Sequence, residues 1–306
     1  MTVAKTLEPY VCGGTAATFG SCCIHPMDLA KVRMQIYGQI NPGKPVPGFP
    51  TIFKNMIASE GMTSLYRGVD AAIGRQMVYG TARIGLHDKF SSMLVEKNQG
   101  QPISFAQKAA SGMLSGAIAV SIGSPFDIAL VRLQSDGMAK PADRRNYKNV
   151  FDALIRTAKE EGFGALYYGV APNILRGMSM NVGMMSCNDQ FQEMYAGLLG
   201  DPDFKTKGPN MTTRILASFS AGFTAGLFSM PFDLVKSRLM AQRPDPLTGE
   251  MPYKSIMDCI TKIVKADGPI GFYNGFSAYY LRCAPHAMIV LLSKDSITKA
   301  YRNSFE

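Results

Sequence analysis

Arginine is costly in the middle of an apolar helix, and this sequence places it there four times. Arg75 and Arg83 sit inside one apolar stretch, Arg176 inside a second and Arg282 inside a third. At the centre of a membrane helix each costs about 2.5–3.5 kcal/mol on insertion scales, so all four must face water, a partner or a ligand. One of them could instead snorkel or brace a carbonyl. Arg75, Tyr79 and Arg83 recur at i, i+4, i+8 and share one helix face, as do Arg282 and His286 at i, i+4. Guanidinium groups match carboxylates in a two-pronged way. Separated cationic sites around a wet cavity therefore suit an anion carrying two carboxylates.

A second set of reactive residues recurs three times. Pro26, Asp28, Lys31 and Arg33 are matched by Pro125, Asp127, Leu130 and Arg132, and again by Pro231, Asp233, Lys236 and Arg238; the prolines are 99 and 106 residues apart. Each copy is followed by an acid–glycine pair and then a further glycine: Glu60-Gly61 to Gly68, Glu161-Gly162 to Gly169, Asp267-Gly268 to Gly275, with 8 residues from acid to final glycine in every case. Three copies in register define an internal triplication. Within one helix, an Asp and a Lys three residues apart form only a local pair worth a few tenths of a kcal/mol. Repetition beside a proline points instead to a role between helices. Three such helices meeting at one end would form a charged ring that closes an aqueous cavity and can break and re-form.

The elements that must position these groups follow from the apolar pattern. Residues 9–27, 109–126 and 215–232 contain no Lys, Arg, Asp or Glu, and each is close to the length of a spanning helix. Each runs into the repeated proline and continues as an amphipathic segment. The odd-numbered helices are expected to be long and bent at Pro26, Pro125 and Pro231, since proline removes a backbone hydrogen bond and membrane packing tolerates the loss. Short amphipathic segments over 51–59, 149–159 and 255–266 are too polar to span and are expected along one membrane surface. The arginine-bearing even helices begin near Val69, Val170 and Phe276. Gly112 with Gly116, and Gly222 with Gly226, place small residues on one face and read as packing seams.

Composition excludes several classes. The chain of 306 residues has a net charge of +9 but only 18% charged residues, with 30 glycines and 20 methionines. Its basic residues flank apolar spans rather than forming a patch with interleaved aromatics, which argues against nucleic acid. The six cysteines are scattered without metal-ligand spacing or a disulfide framework. Cys187 and Cys283 lie near the arginines and could sense thiol reagents, although burial as small residues is the ordinary role of such cysteines. No phosphate loop, dinucleotide fingerprint, zinc motif or nucleophile–base pair is present, so neither an enzyme nor a cofactor is expected. The first residues show no secretory or Arg-rich transit pattern, so targeting is expected to be internal.

The triple P-x-D/E-x-x-K/R motif, each copy followed by acid-Gly and an aromatic residue, resembles the mitochondrial carrier family over essentially the whole chain. The stretches Ser124–Asp136, Arg144–Phe151, Arg75-Gln76 with Thr81-Ala82-Arg83, and Tyr279-Tyr280 with Arg282 and Pro285-His286 resemble its oxoglutarate/malate and plant dicarboxylate–tricarboxylate branch. The resemblance implies an all-α membrane protein: six transmembrane helices in three pseudo-symmetric repeats (about 8–98, 105–200 and 209–304), each with a short matrix-side interfacial helix, forming one carrier domain over 1–306. It implies a multi-pass protein of the mitochondrial inner membrane with both termini towards the intermembrane space.

The resemblance also assigns roles. Arg75, Arg83, Arg176 and Arg282 would contact substrate. Asp28, Lys31, Asp127, Asp233 and Lys236 would form the matrix gate, with Asp127 paired to Lys236 and Asp233 to Lys31. Leu130 leaves Asp28 without its lysine, so two ion pairs are expected. Gln35 and Gln134 would brace this gate, and Met240 replaces the third brace. Arg33, Arg132 and Arg238 would pair with Glu60, Glu161 and Asp267. Gly68, Gly169 and Gly275 would present backbone amides to cardiolipin phosphates, as exposed amides at helix starts do. On the cytosolic side only Asp88, Asp189 and Lys294 remain of the charged motif, and a weak gate is expected. Two functions are compatible with this reading. One is an antiporter of 2-oxoglutarate, malate and related di- or tricarboxylates, working by alternating access and as a monomer. The other is a carrier-fold chain acting as a structural subunit or adaptor of a larger inner-membrane assembly.

Overall fold

In the computed structural model, residues 2–41, 44–98, 104–139, 144–200, 210–244 and 250–303 are described. Six long helices run through them: α1 (Thr2–Ile40), α3 (Val69–Lys97), α4 (Phe105–Asp136), α6 (Val170–Leu199), α7 (Met211–Ala241) and α9 (Phe276–Asn303). One short helix separates the members of each pair: α2 (Phe49–Glu60), α5 (Val150–Glu161) and α8 (Ile256–Asp267). The long odd helices continue unbroken through their prolines, Pro125 in α4 and Pro231 in α7.

The even helix of each repeat packs most extensively on the odd helix of the next: α3 on α4, α6 on α7, and α9 back on α1. That last contact closes the six long helices into a ring. Burial in this ring is inverted relative to a soluble domain. Phe19, Ile122, Phe219, Phe223 and Phe228 are exposed, while Arg33, Arg132 and Arg238 are buried. Apolar side chains outside and charges inside suit a hydrocarbon surround. Ala110–Asp136 and Met211–Ala241 are long and apolar enough to cross a membrane.

Each short helix is amphipathic in the helical period. Ile52 and Met56, Ala153 and Thr157, and Cys259 and Ile263 are the buried i, i+4 pairs. Local chemistry fixes their ends. Asn149 and Ser255 cap α5 and α8 by accepting from the backbone N–H of Asp152 and Asp258. Each short helix then stops at a glycine with positive φ, turns once through a 3-10 segment, and reaches a second such glycine (Gly68, Gly169 or Gly275) that starts the even helix. Apolar clusters bind each short helix to its own odd helix. A central cluster of Val32, Ile128, Val131, Tyr168 and Met240 joins all three repeats.

Candidate functional site

The repeated aspartates and lysines converge near the proline end of the ring. Lys31 of α1 pairs with Asp233 of α7. Lys236 of α7 pairs with Asp127 of α4, Nζ to Oδ2 at 3.2 Å. Gln35 bridges repeats: its Nε2 donates to Asp233 Oδ2 at 2.7 Å, and its Oε1 accepts from Ser237 at 2.7 Å. These side chains, Asp28 apart, are buried, so their charges are met by partners rather than bulk water.

Three of the four arginines singled out in the sequence join the same layer. Arg75 Nε donates to Asp127 Oδ1 at 2.5 Å, Arg176 Nε lies 3.6 Å from Asp233 Oδ1, and Arg282 Nη1 donates to Asp28 Oδ1 at 2.5 Å. The sequence reading kept these arginines apart from the aspartates; the structure brings them together. The two expected aspartate–lysine pairs are present, and a third link is added: Asp28, which has no lysine because position 130 is leucine, is held by Arg282. The signal was in the spacing, because Arg75, Arg176 and Arg282 each lie seven residues after Gly68, Gly169 and Gly275. They occupy one register in three helices, so each meets the aspartate of the neighbouring repeat. The rings of Tyr79 and Tyr279 lie against the layer, with Arg75 5.3 Å from the first centroid and Lys31 and Arg282 5.1 and 5.6 Å from the second.

Arg83 stands outside the threefold pattern. It is exposed and, with Tyr79, Asn173 and Arg176, lines a cavity of about 160 Å³ between α3, α4 and α6.

A second charged layer ties each odd helix to its short helix. Arg33 donates to both carboxylate oxygens of Glu60 (2.5 and 3.0 Å), and Arg132 to both of Glu161 (2.7 and 2.7 Å). Arg238 donates to Asp267 at 2.5 Å. Each of these arginines also reaches the following repeat. Their Nε groups donate to the backbone carbonyls of Gln134 (3.2 Å), Met240 (3.4 Å) and Gln35 (3.3 Å). The pairs lie against glycines: a Cβ on Gly137 would fall 2.2 Å from Glu60, and one on Gly38 2.8 Å from Asp267. Both glycines come twelve residues after their repeat's proline. Arg67 adds a further contact to Glu60 at 3.3 Å. Burial works against the Glu60 charge, but the bond and charge of Arg33, helped by Arg67, outweigh it and hold the carboxyl below its usual range. On α8, burial pushes the Cys259 thiol up to about 12.

Two placements depart from the sequence reading. Gln134, expected to brace the ring as Gln35 does, is buried, and its Oε1 has no hydrogen-bond partner among the described residues. The reason is local: the lysine it would support is Leu130, and Asp28 is engaged by Arg282. Asn173 was not singled out, yet its Nδ2 donates to Asp127 Oδ2 at 2.9 Å and its Oδ1 accepts from Arg176 Nε at 3.3 Å. At the opposite end of the ring, Asp88 is exposed on α3. The side chains of Asp189 and Lys294, with those of Cys283 and His286, lie outside the described residues.

The threefold geometry agrees with what the chain is similar to. The sequence profile described as mitochondrial carrier protein matches residues 3–98, 101–198 and 207–305. A Neurospora crassa protein with the provisional name mitochondrial 2-oxoglutarate/malate carrier protein is 41% identical over 289 residues, covering 94% of this chain and 85% of its own length. The mitochondrial dicarboxylate/tricarboxylate transporter of Arabidopsis thaliana is 38% identical over 98% of this chain and 95% of its own. The mitochondrial 2-oxoglutarate/malate carrier protein of Mus musculus is 32% identical over 97% and 91%. With three matched repeats, a closed ring of six long helices and two threefold charged layers, the chain belongs to the mitochondrial carrier protein family.

Proposed function

We propose that this chain exchanges 2-oxoglutarate, malate and related di- or tricarboxylates across the mitochondrial inner membrane by alternating access. The observation that carries the reading is the pairing of Arg75, Arg176 and Arg282 with Asp127, Asp233 and Asp28. In this closed arrangement each arginine holds a carboxylate that belongs to the protein. A substrate with two or three carboxylates offers the same guanidinium-binding groups, so it can take over two arginines at once and release their aspartates. Arg83, facing the cavity beside Arg176, supplies a fourth cation for an incoming anion. Arrival of substrate thereby weakens the layer that closes the cavity, and departure restores it. Exchange, rather than one-way flow, follows when the empty carrier recloses on its own aspartates.

The aspartate–lysine layer is read as the matrix gate, the three Arg–carboxylate pairs of the second layer as its supports, and Asp88, Asp189 and Lys294 as the cytosolic counterpart. Both termini then face the intermembrane space. Gly68, Gly169 and Gly275 are read as cardiolipin sites. A polar cavity of about 330 Å³ lined by Arg67, Gly68 and Lys148 supports this at the first of them.

The test is uptake of labelled 2-oxoglutarate into liposomes carrying purified protein and preloaded with malate, citrate or buffer. Uptake should require an internal di- or tricarboxylate and should vanish in Arg176→Ala and Arg282→Ala. Absence of exchange with any of these anions, from protein with a cooperative melting transition, would refute the proposal and leave a structural role in a larger assembly.

A further inference from the structure

The two lysine-paired aspartates have matching surroundings built from non-matching residues. Asp233 is met by a lysine (Lys31), an arginine (Arg176) and an amide (Gln35). Asp127 is also met by a lysine (Lys236), an arginine (Arg75) and an amide, but that amide is Asn173. Gln35 lies four residues beyond the lysine whose partner it braces, and the same place beyond Lys236 is Met240. A thioether cannot donate a hydrogen bond, so α7 provides no brace for its own pair. The missing donor comes from α6. Asn173 is buried, and its register four residues after the glycine is filled by Ala72 and Tyr279 in the other even helices. The brace is therefore particular to this one pair.

The relocation has a consequence. Gln35 sits on the same helix as the lysine it supports. Asn173 sits on the helix of Arg176, one turn away, and its oxygen accepts from Arg176 while its amide nitrogen donates to Asp127. One planar group thus spans an arginine of the substrate cavity and a carboxylate of the closing layer. We infer that Asn173 is a positioning residue that substitutes for the brace lost at Met240 and couples capture of substrate by Arg176 to release of the Asp127–Lys236 pair. This rests on the transport reading of Arg176. When a substrate carboxylate draws Arg176 away, the Asn173 side chain loses the bond that fixes its plane. The bond to Asp127 loosens with it, and the carboxylate keeps Lys236, which donates to it at 3.2 Å, and Arg75.

The test separates tightness from turnover. Proteoliposomes loaded with labelled 2-oxoglutarate are diluted into buffer with or without malate, and efflux without a counter-anion is compared with exchange. In Asn173→Leu, efflux into anion-free buffer relative to exchange should rise about tenfold or more, the factor for about 1.4 kcal/mol, which is near the lower end for a lost hydrogen bond to a charge. Asn173→Asp, nearly isosteric, places a carboxylate against Asp127 and should leak at least as much, which covers the case of a misfolded Leu variant. Adding Met240→Gln to Asn173→Leu returns a brace from α7 and should restore tightness, while the half-saturating concentration of 2-oxoglutarate stays altered because the link to Arg176 is still absent. A tight Asn173→Asp variant, or a leak in Asn173→Leu that Met240→Gln leaves unrepaired, overturns the inference while wild-type exchange leaves the transport reading intact. A wild type that exchanges none of these anions overturns the transport reading and the coupling with it.

Discussion

Asp28 offers the clearest quantitative test of the idea that substrate competes with the protein's own carboxylates. Asp127 and Asp233 each keep a lysine if their arginine leaves, whereas Asp28 is paired with Arg282 and the position that carries a lysine in the other two repeats is Leu130. Substrate must therefore take Arg282 directly from Asp28. Two unit charges about 4 Å apart attract by about 4 kcal/mol at an effective dielectric of about 20. Both side chains here are 26% exposed, so solvent screening reduces the net value to about 1–2 kcal/mol. Asp28→Asn removes the competitor and keeps the shape. The half-saturating concentration of 2-oxoglutarate in malate-loaded liposomes should fall about 5- to 30-fold. Maximal exchange should fall as well, because the closed state loses its third link and Arg282 holds the substrate for longer. Thermal stabilisation by 2-oxoglutarate in detergent should saturate at correspondingly lower concentrations. An unchanged or raised half-saturating concentration, with folding preserved, would show that the anion does not displace Asp28 and would refute the argument.

Other consequences can be checked independently. Arg132→Ala leaves Glu161, itself 1% exposed, with Arg145 at 3.0 Å as its remaining cation; it should cost about 3–5 kcal/mol and lower the melting temperature more than Arg238→Ala, because Asp267 is 13% exposed and better hydrated. Gly169→Ala forces a side chain into the left-handed region at φ 81° and brings Cβ to 2.9 Å from Met240; the conformation alone costs about 1–2 kcal/mol, which should appear as a lower melting temperature. Cys259, with its thiol pushed up to about 12, should alkylate at pH 8 about a thousandfold more slowly than an unperturbed thiol; mass spectrometry of maleimide-treated protein reads this directly, and rapid labelling of Cys259 in the folded state would contradict its burial.

The boundaries of the even helices and of the three short helices were legible because glycine, proline and capping residues act locally. Gly61, Gly68 and their repeats stop and restart the chain through φ values that other residues avoid. The second charged layer was expected from the family resemblance, and its arginine and acid recur in three copies at similar separations of 27, 29 and 29 residues. The partner of Asp28 was not. Motif matching looks for a lysine at position 130 and records a missing link when it finds Leu130; only the packing of α9 on α1 shows that Arg282 reaches the same carboxylate. Gln134 failed in the opposite direction. It matches a brace by position, but a brace needs a pair to support, and that pair is absent.

Sequence alone determined the inventory: three repeats, six long helices, four arginines that hydrocarbon would reject, and three aspartates beside three prolines. Those follow from periodicity and from the cost of burying charge, which act residue by residue. Tertiary structure decided the connections. Whether an arginine faces empty water or holds an aspartate, and whether a buried amide on α6 stands in for one missing from α7, depends on distances between residues 46 to 254 positions apart in the chain. Hydrogen bonds and ion pairs are short-ranged and directional, so no local pattern in the sequence specifies them until the ring has closed.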